Sequence, residues 1–271
     1  MALRIRKEVE SEDIKLPAEL EHLSFSSIDT FLTCPMRWKF RYVDKIKSPP
    51  SIFLEFGGSG HEALKLNNIH KFESGSDLPT KIVNDKFCDT LQTKKKNIED
   101  WDGENPETSY DKHIRLGQKL LAEYMKEVAP IFTPAVMPEQ EGNIKISGVP
   151  LVYYVDLETH TNIWDYKFVG RAKSDKDVSN SLQMWLYSIA RNKSNTNMLS
   201  FCKKNGDIVS ASAEIGERER TWARYIVQTT ARAIVAGHFF PRKPDGQESW
   251  QCTPKFCGYY HMCRGGSRRM T

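Results

Sequence analysis

Asp156, Asp165 and Lys167 are the residues whose types and spacing carry the most chemistry in this chain. Residues 151–157 and 162–168 are apolar, aromatic runs with strand character, and the stretch 158–161 between them has turn composition, so the pattern predicts a β-hairpin. Side chains two apart on a strand leave the same face, which sets Asp165 beside Lys167. Antiparallel pairing across the turn brings Asp156 opposite Asp165. Two carboxylates and an ammonium then converge on one spot. Oxygen ligands of this kind suit Mg²⁺ or Mn²⁺, and a lysine beside them can hold a phosphate or help activate water. That is the equipment of metal-assisted phosphodiester hydrolysis.

The neighbouring elements must hold that spot in place. Residues 137–146 read as one more strand ahead of the turn 147–150, so 137–168 is expected to form a meander. Glu139 and Glu141 begin it, and read either as solvated strand charges or as support for the site from behind. Residues 177–191 read as one amphipathic helix with Leu182, Trp185, Leu186 and Ile189 as its apolar stripe. Gln183 and Tyr187, four apart, share a neighbouring face. Two strands, 197–203 and 207–213, flank the turn dipeptide Asn205-Gly206, and 217–235 reads as a last long helix. Upstream, Gly57, Gly58 and Gly60 precede His61, which predicts a helix entry with His61 in the first turn. Helices near 80–97 and over 110–128 would make about 62–130 a helical elaboration around the site. Nearer the start, Ser26 or Ser27 can cap a helix beginning at Ile28, and Pro35 restarts it after Cys34.

The 271 residues, 39% hydrophobic and 27% charged, have ordinary globular composition and fit one large domain, here expected over 23–271 behind an arm at 1–22. No run approaches the length of a membrane span and the first residues lack an apolar signal core, so the expected setting is cytoplasmic, intracellular and reducing, with no membrane partner. The net charge of +4 is compatible with nucleic acid but too small to argue for it. There is no phosphate-loop motif, which excludes a P-loop motor within this chain. Six cysteines in a reducing compartment argue against disulfides. Three of them, Cys252, Cys257 and Cys263, crowd into the tail 237–271, which points to a metal centre. Cys88 and Cys202 read as core thiols. Basic and aromatic residues interleave at Arg37, Trp38, Lys39, Phe40, Arg41 and Tyr42. Arg37, Lys39 and Arg41 are therefore candidates to hold a DNA strand, with Trp38 or Tyr42 packing or stacking beside it; the rival reading is a solvated helix face over a packed aromatic stripe.

Asp156, then Asp165-Tyr166-Lys167, then Gln183-x-x-x-Tyr187 resembles the core of the PD-(D/E)XK nucleases. The likeness is strongest to the RecB-like branch that includes AddB and the CRISPR-associated adaptation nucleases. The glycine-led His61-Glu62-Ala63-Leu64 is similar to the histidine motif that opens the RecB-like pattern. The resemblance implies an α/β, restriction-endonuclease-like fold: a central mixed sheet flanked by helices, with a helical insertion. It implies a DNA nuclease, most of all an exonuclease, using Mg²⁺ or Mn²⁺ held by His61, Asp156, Asp165 and the Tyr166 carbonyl. Lys167 would position water and stabilise charge, while Gln183 and Tyr187 would orient the metal site or the lysine and touch DNA phosphate. Cys34 with Cys252, Cys257 and Cys263 resembles the iron–sulfur staple of AddB-like nucleases, implying a 4Fe–4S cluster that joins the N- and C-terminal segments. Four thiolates suit structural zinc equally well, and spacing alone does not choose between them. The sequence departs from the pattern in the interval between Cys252 and Cys257, in Tyr153 where glycine is frequent, and in Phe168 where Thr or Ser commonly follows the lysine. The implied partner is DNA, with a free end or single-stranded, alongside a recombination or helicase protein; a structure-specific endonuclease and a non-catalytic DNA-binding protein are the rival readings.

Overall fold

The computed structural model describes residues 13–242 and 251–263, so the first twelve residues of the expected arm and parts of the tail lie outside the described residues. The chain divides into two compact units. One comprises Met1–Ser48, Gly142–Tyr153 and Arg218–Thr271; the other comprises Pro49–Glu141 and Tyr154–Glu217.

In the first unit, β1 (Leu23–Ser24) leads into α1 (Phe25–Thr33) and α2 (Pro35–Trp38). Ser24, rather than Ser26 or Ser27, caps α1, its hydroxyl accepting from the Ser27 backbone N–H. Pro35 starts α2, where its missing N–H costs nothing.

The second unit begins with α3 (Ile52–Ser74), α4 (Thr80–Lys95) and α5 (Pro106–Glu123). The expected helical elaboration is present but starts ten residues earlier, because Ser51 caps α3 and Gly57, Gly58 and Gly60 lie inside it. His61 is therefore a mid-helix residue. The glycines serve packing rather than entry: a Cβ on Gly60 would stand 2.1 Å from the Phe168 ring. The notch lets the ring lie against the helix backbone.

The expected meander is instead divided between two sheets. In the first unit, β2 (Glu141–Ile146) and β3 (Val149–Tyr154) flank a Ser147-Gly148 turn with both φ positive, and β1 pairs parallel with β3. The long strand predicted at 151–157 breaks at Val155-Asp156. The Val155 carbonyl accepts from Glu139 N–H at 2.9 Å, and the Asp156 carboxylate leaves the ladder. After the break, β4 (Leu157–Glu158) pairs antiparallel with β5 (Asn162–Val169) in the second sheet.

β5 continues into α6 (Asp175–Ser179) and α7 (Leu182–Arg191), then β6 (Asn195–Cys202), β7 (Ile208–Glu214) and α8 (Glu217–Val235). The single helix expected at 177–191 is two, because Ser174 and Ser181 each cap a new start. β5 pairs parallel with β6, and β6 antiparallel with β7, giving the sheet order β4-β5-β6-β7. The sheets are mixed and flanked by helices, consistent with the expected fold class, but they are two where one central sheet was expected.

β5 shows how the sequence positions the site. Trp164, Tyr166 and Phe168 alternate onto the face that packs with Phe56, Leu64, Phe87, Leu120 and Tyr124 of α3–α5 and the following segment. Ile163, Asp165 and Lys167 take the other face by the period of two. Among the described residues no helix is long and apolar enough to cross a membrane.

Candidate active site and cysteine cavity

Every residue of the carboxylate site belongs to the second unit. The register Leu157↔Trp164 continues by one step to set Asp156 opposite Asp165, as the hairpin reading expects. Asp156 Oδ2 accepts the Tyr166 backbone N–H at 2.6 Å, and Asp156 Oδ1 lies 3.3 Å from His61 Nδ1. Glu139 Oε1 lies 3.9 Å from the same nitrogen. One donor atom each from His61, Glu139 and Asp156 fit within 4.8 Å of one another, the spacing a single cation needs. Glu139, considered in the sequence only as a support, thus stands among the ligand atoms; its φ of 55° turns its side chain out of the path of a strand.

Lys167 Nζ lies 2.6 Å from Asp165 Oδ2 and donates to Gln183 Oε1 at 2.8 Å. Gln183 Nε2 in turn donates to Asp165 Oδ1 at 2.7 Å and to the Tyr187 hydroxyl at 2.9 Å. Tyr187 closes the chain by donating to the Tyr154 carbonyl. One glutamine thereby sets the separation of the carboxylate and the ammonium. The Tyr187 hydroxyl is thus bonded to both Gln183 and the Tyr154 carbonyl. Gln183, Met184, Leu186 and Tyr187 form the buried face of α7, in place of the stripe expected through Leu182, Trp185 and Ile189. Tyr166 is a hub. Its N–H holds Asp156, and its hydroxyl is held by Asn68 on α3 at 3.1 Å and by Tyr124 at 3.0 Å. Asn68 lies two turns beyond His61 on the same helix, a relation the sequence pattern did not expose.

Electrostatics separate these groups. Burial would lower the His61 pKa, but the facing Asp156 charge and hydrogen bonds donated to Asp156 and Glu139 push it up to about 10. Burial also works on Asp156, yet the His61 charge, its hydrogen bond, the Tyr166 N–H and Lys167 hold this carboxyl below the usual range. Burial raises Asp165, with Lys167 offsetting part of the effect and Asp156 repulsion adding to it. Glu139 is likewise raised, first by burial. Two adjacent carboxylates driven in opposite directions mark a site built for charge. Asp165 Oδ2 is buried and accepts no well-directed hydrogen bond despite the nearby ammonium. Asp165 lies outside the converging group of His61, Glu139 and Asp156, and the N/O donor set of that group fits Mn²⁺ or Mg²⁺.

In the first unit, Cys34, Cys252, Cys257 and Cys263 all line one cavity together with Arg37 and Tyr260. No three of these sulfurs lie within 4.8 Å of one another. The Arg242 N–H donates to Cys34 Sγ at 3.4 Å. Burial raises the Cys257 thiol, Tyr259 N–H and Arg37 oppose this, and Cys34 and Cys252 are close enough to raise it further. Aromatic packing also joins the chain ends. Trp38 stacks on Phe239 at 5.6 Å, Phe40 meets Tyr259 at 5.5 Å, and the Tyr259 hydroxyl donates to the Ile46 carbonyl at 2.9 Å.

The expected DNA role for Trp38 is corrected by that packing. Its side chain is fully buried, with Nε1 bonded to Ser27 Oγ, so no base can reach it. Arg37 faces the cysteine cavity, and Lys39 is paired with Asp44 at 2.7 Å. Arg41 stays exposed.

A family model of the PD-(D/E)XK nuclease superfamily matches residues 22–264. The chain belongs to this superfamily. Membership makes DNA the implied substrate and points to a metal-dependent nuclease, in keeping with the His61, Glu139 and Asp156 cluster. Among solved structures, a "putative exonuclease" from Eubacterium rectale is similar over 84% of this chain and 89% of its own, with 12% identity and a TM-score of 0.50. The protein SSO0001 is similar over 92% and 89%, with 14% identity and a TM-score of 0.42. At such identities the first likeness supports the nuclease fold alone. No curated protein matches this superfamily member.

Proposed function

We propose that this chain is a Mg²⁺- or Mn²⁺-dependent DNA exonuclease. The observation that carries the reading is the convergence of His61, Asp156, Asp165 and Lys167 in one unit, each held by a named partner. His61, Asp156 and Asp165, with the Tyr166 carbonyl and Glu139 beside them, would hold the ion. When bound, such an ion lowers the pKa of its water and neutralises phosphate charge. Lys167, fixed by Gln183 and Asp165, is placed to orient the attacking water and to counter negative charge gathering on the phosphate oxygens. Gln183 and Tyr187 are positioning residues, and so are Asn68 and Tyr124 through Tyr166.

The cysteine cavity supports a structural 4Fe–4S cluster. A tetrahedral zinc site with Zn–S near 2.3 Å would draw its sulfurs to about 3.8 Å of one another. The four cysteines line one cavity, but no spacing there selects a cluster, in which each thiolate binds its own iron, over zinc. A reducing, intracellular setting and a recombination or helicase partner complete the proposal.

The test is cleavage of end-labelled linear and circular DNA, single- and double-stranded, with Mn²⁺. Release of mononucleotides or short products from linear DNA alone is expected. Equal cutting of circles would assign an endonuclease instead.

A further inference from the structure

The outward face of α8 is unlike its inward one. Inward, Ala223, Val227, Ala231 and Ile234 form a small apolar stripe. Outward, Arg218, Trp222, Tyr225, Thr229 and Arg232 recur at alternating intervals of four and three, which places them in one line along the helix. Trp222 is 43% exposed and Tyr225 56% exposed. Their rings meet edge to face with centroids 5.8 Å apart and planes at 85°, so each steadies the other. Arginines bracket the pair, and the helix carries four arginines against two glutamates. From Arg218 to Arg232 the helix rises about 21 Å, room for several nucleotides.

We propose that this face of α8 binds single-stranded nucleic acid. Bases stack on Trp222 and Tyr225, and Arg218 and Arg232 take the phosphates. Charge decides the occupant: exposed rings set between cations match a chain that alternates flat π faces with anions. The segment 37–42 has the same residue types but buries its tryptophan, whereas α8 leaves both rings accessible. The choice of DNA rests on the nuclease reading, but its test needs no cleavage.

The full chain is titrated into a labelled oligo-dT without divalent ions, and anisotropy is followed over a range of salt. Trp222→Ala and Tyr225→Ala should each weaken binding about tenfold, the scale of one lost base stack. Trp222→Phe and Tyr225→Phe should keep most of the affinity. Arg218→Gln with Arg232→Gln should lower the slope of log K against log salt by about 1.4, two phosphate contacts' worth. Unchanged affinity and slope in these variants overturn the proposal. Unchanged DNA binding, with Trp222→Ala converting a dimer to a monomer, assigns the face to a second copy and overturns it too. A chain that binds oligo-dT through α8 yet cleaves nothing contradicts the proposed activity while upholding this inference.

Discussion

The carboxylate site and the cysteine cavity are held in opposite ways. Asp156, Asp165 and Lys167 lie on or beside paired strands, and each is pinned by a protein donor or acceptor: the Tyr166 N–H, Gln183, and through it Tyr187. Protein hydrogen bonds hold each of these groups in place. Cys34 sits between two short helices, and the other three cysteines lie in a stretch of turns over 251–263. There the cysteines belong to chain with little regular structure of its own. The difference teaches that a metal bound by the first group is free to do chemistry, whereas a metal bound by the second contributes folding energy.

The strongest way to break this contrast is at the carboxylates. Asp156→Ala or Asp165→Ala should reduce Mn²⁺-dependent cleavage at least about a thousandfold. The isosteric Asp156→Asn and Asp165→Asn should keep Tm nearly unchanged by calorimetry, because the amide oxygen still accepts from the Tyr166 N–H or from Gln183. Near-normal cleavage by either purified variant would end the assignment. The reverse pattern is expected at the cysteines. Serine at Cys34, Cys252, Cys257 or Cys263 should bleach a brown protein holding about four irons per chain. It should also lower Tm by about 10 °C. Trp38 stacked on Phe239 limits the loss, because aromatic packing also ties the ends. Colourless wild-type protein with one tightly held zinc would replace the cluster and keep the staple; serine at Cys88 or Cys202 should leave both colour and metal content intact.

Smaller effects sharpen the contrast within the first site. Gln183→Ala should cost about 10- to 100-fold in turnover, the usual scale for a residue that orients a ligand. DNA affinity should hold, and a parallel loss of affinity would instead make Gln183 a substrate contact. Gly60→Ala places a methyl group against the Phe168 ring and should destabilise by about 1–3 kcal/mol. Adding Phe168→Ala should relieve the clash, and a denaturation double-mutant cycle without coupling would refute the notch.

What could be read from the sequence was what depends on local pattern. The span of α8 and the Asp165–Lys167 pairing follow from periodicity alone, and the Asp156–Asp165 opposition follows from one turn. The misreadings arose where tertiary contacts override pattern. The glycines before His61 resembled a helix entry because nothing local announces the Phe168 ring. Of the expected α7 stripe only Leu186 is buried, because Gln183 and Tyr187 take the buried face as polar residues, and burial of this kind is legible only from their partners. Trp38 looked available for stacking because Phe239, about two hundred residues away, is what covers it. Glu139 was undervalued because a positive φ and one hydrogen bond to Val155 bring it to the ligand cluster.

The most direct test of the contrast is one preparation measured before and after a brief EDTA wash, for cleavage and for Tm together. The account predicts that cleavage vanishes and returns with Mn²⁺, while the brown colour persists and Tm stays within about 2 °C. Cleavage that survives the wash, or a Tm that collapses together with the activity, would contradict it.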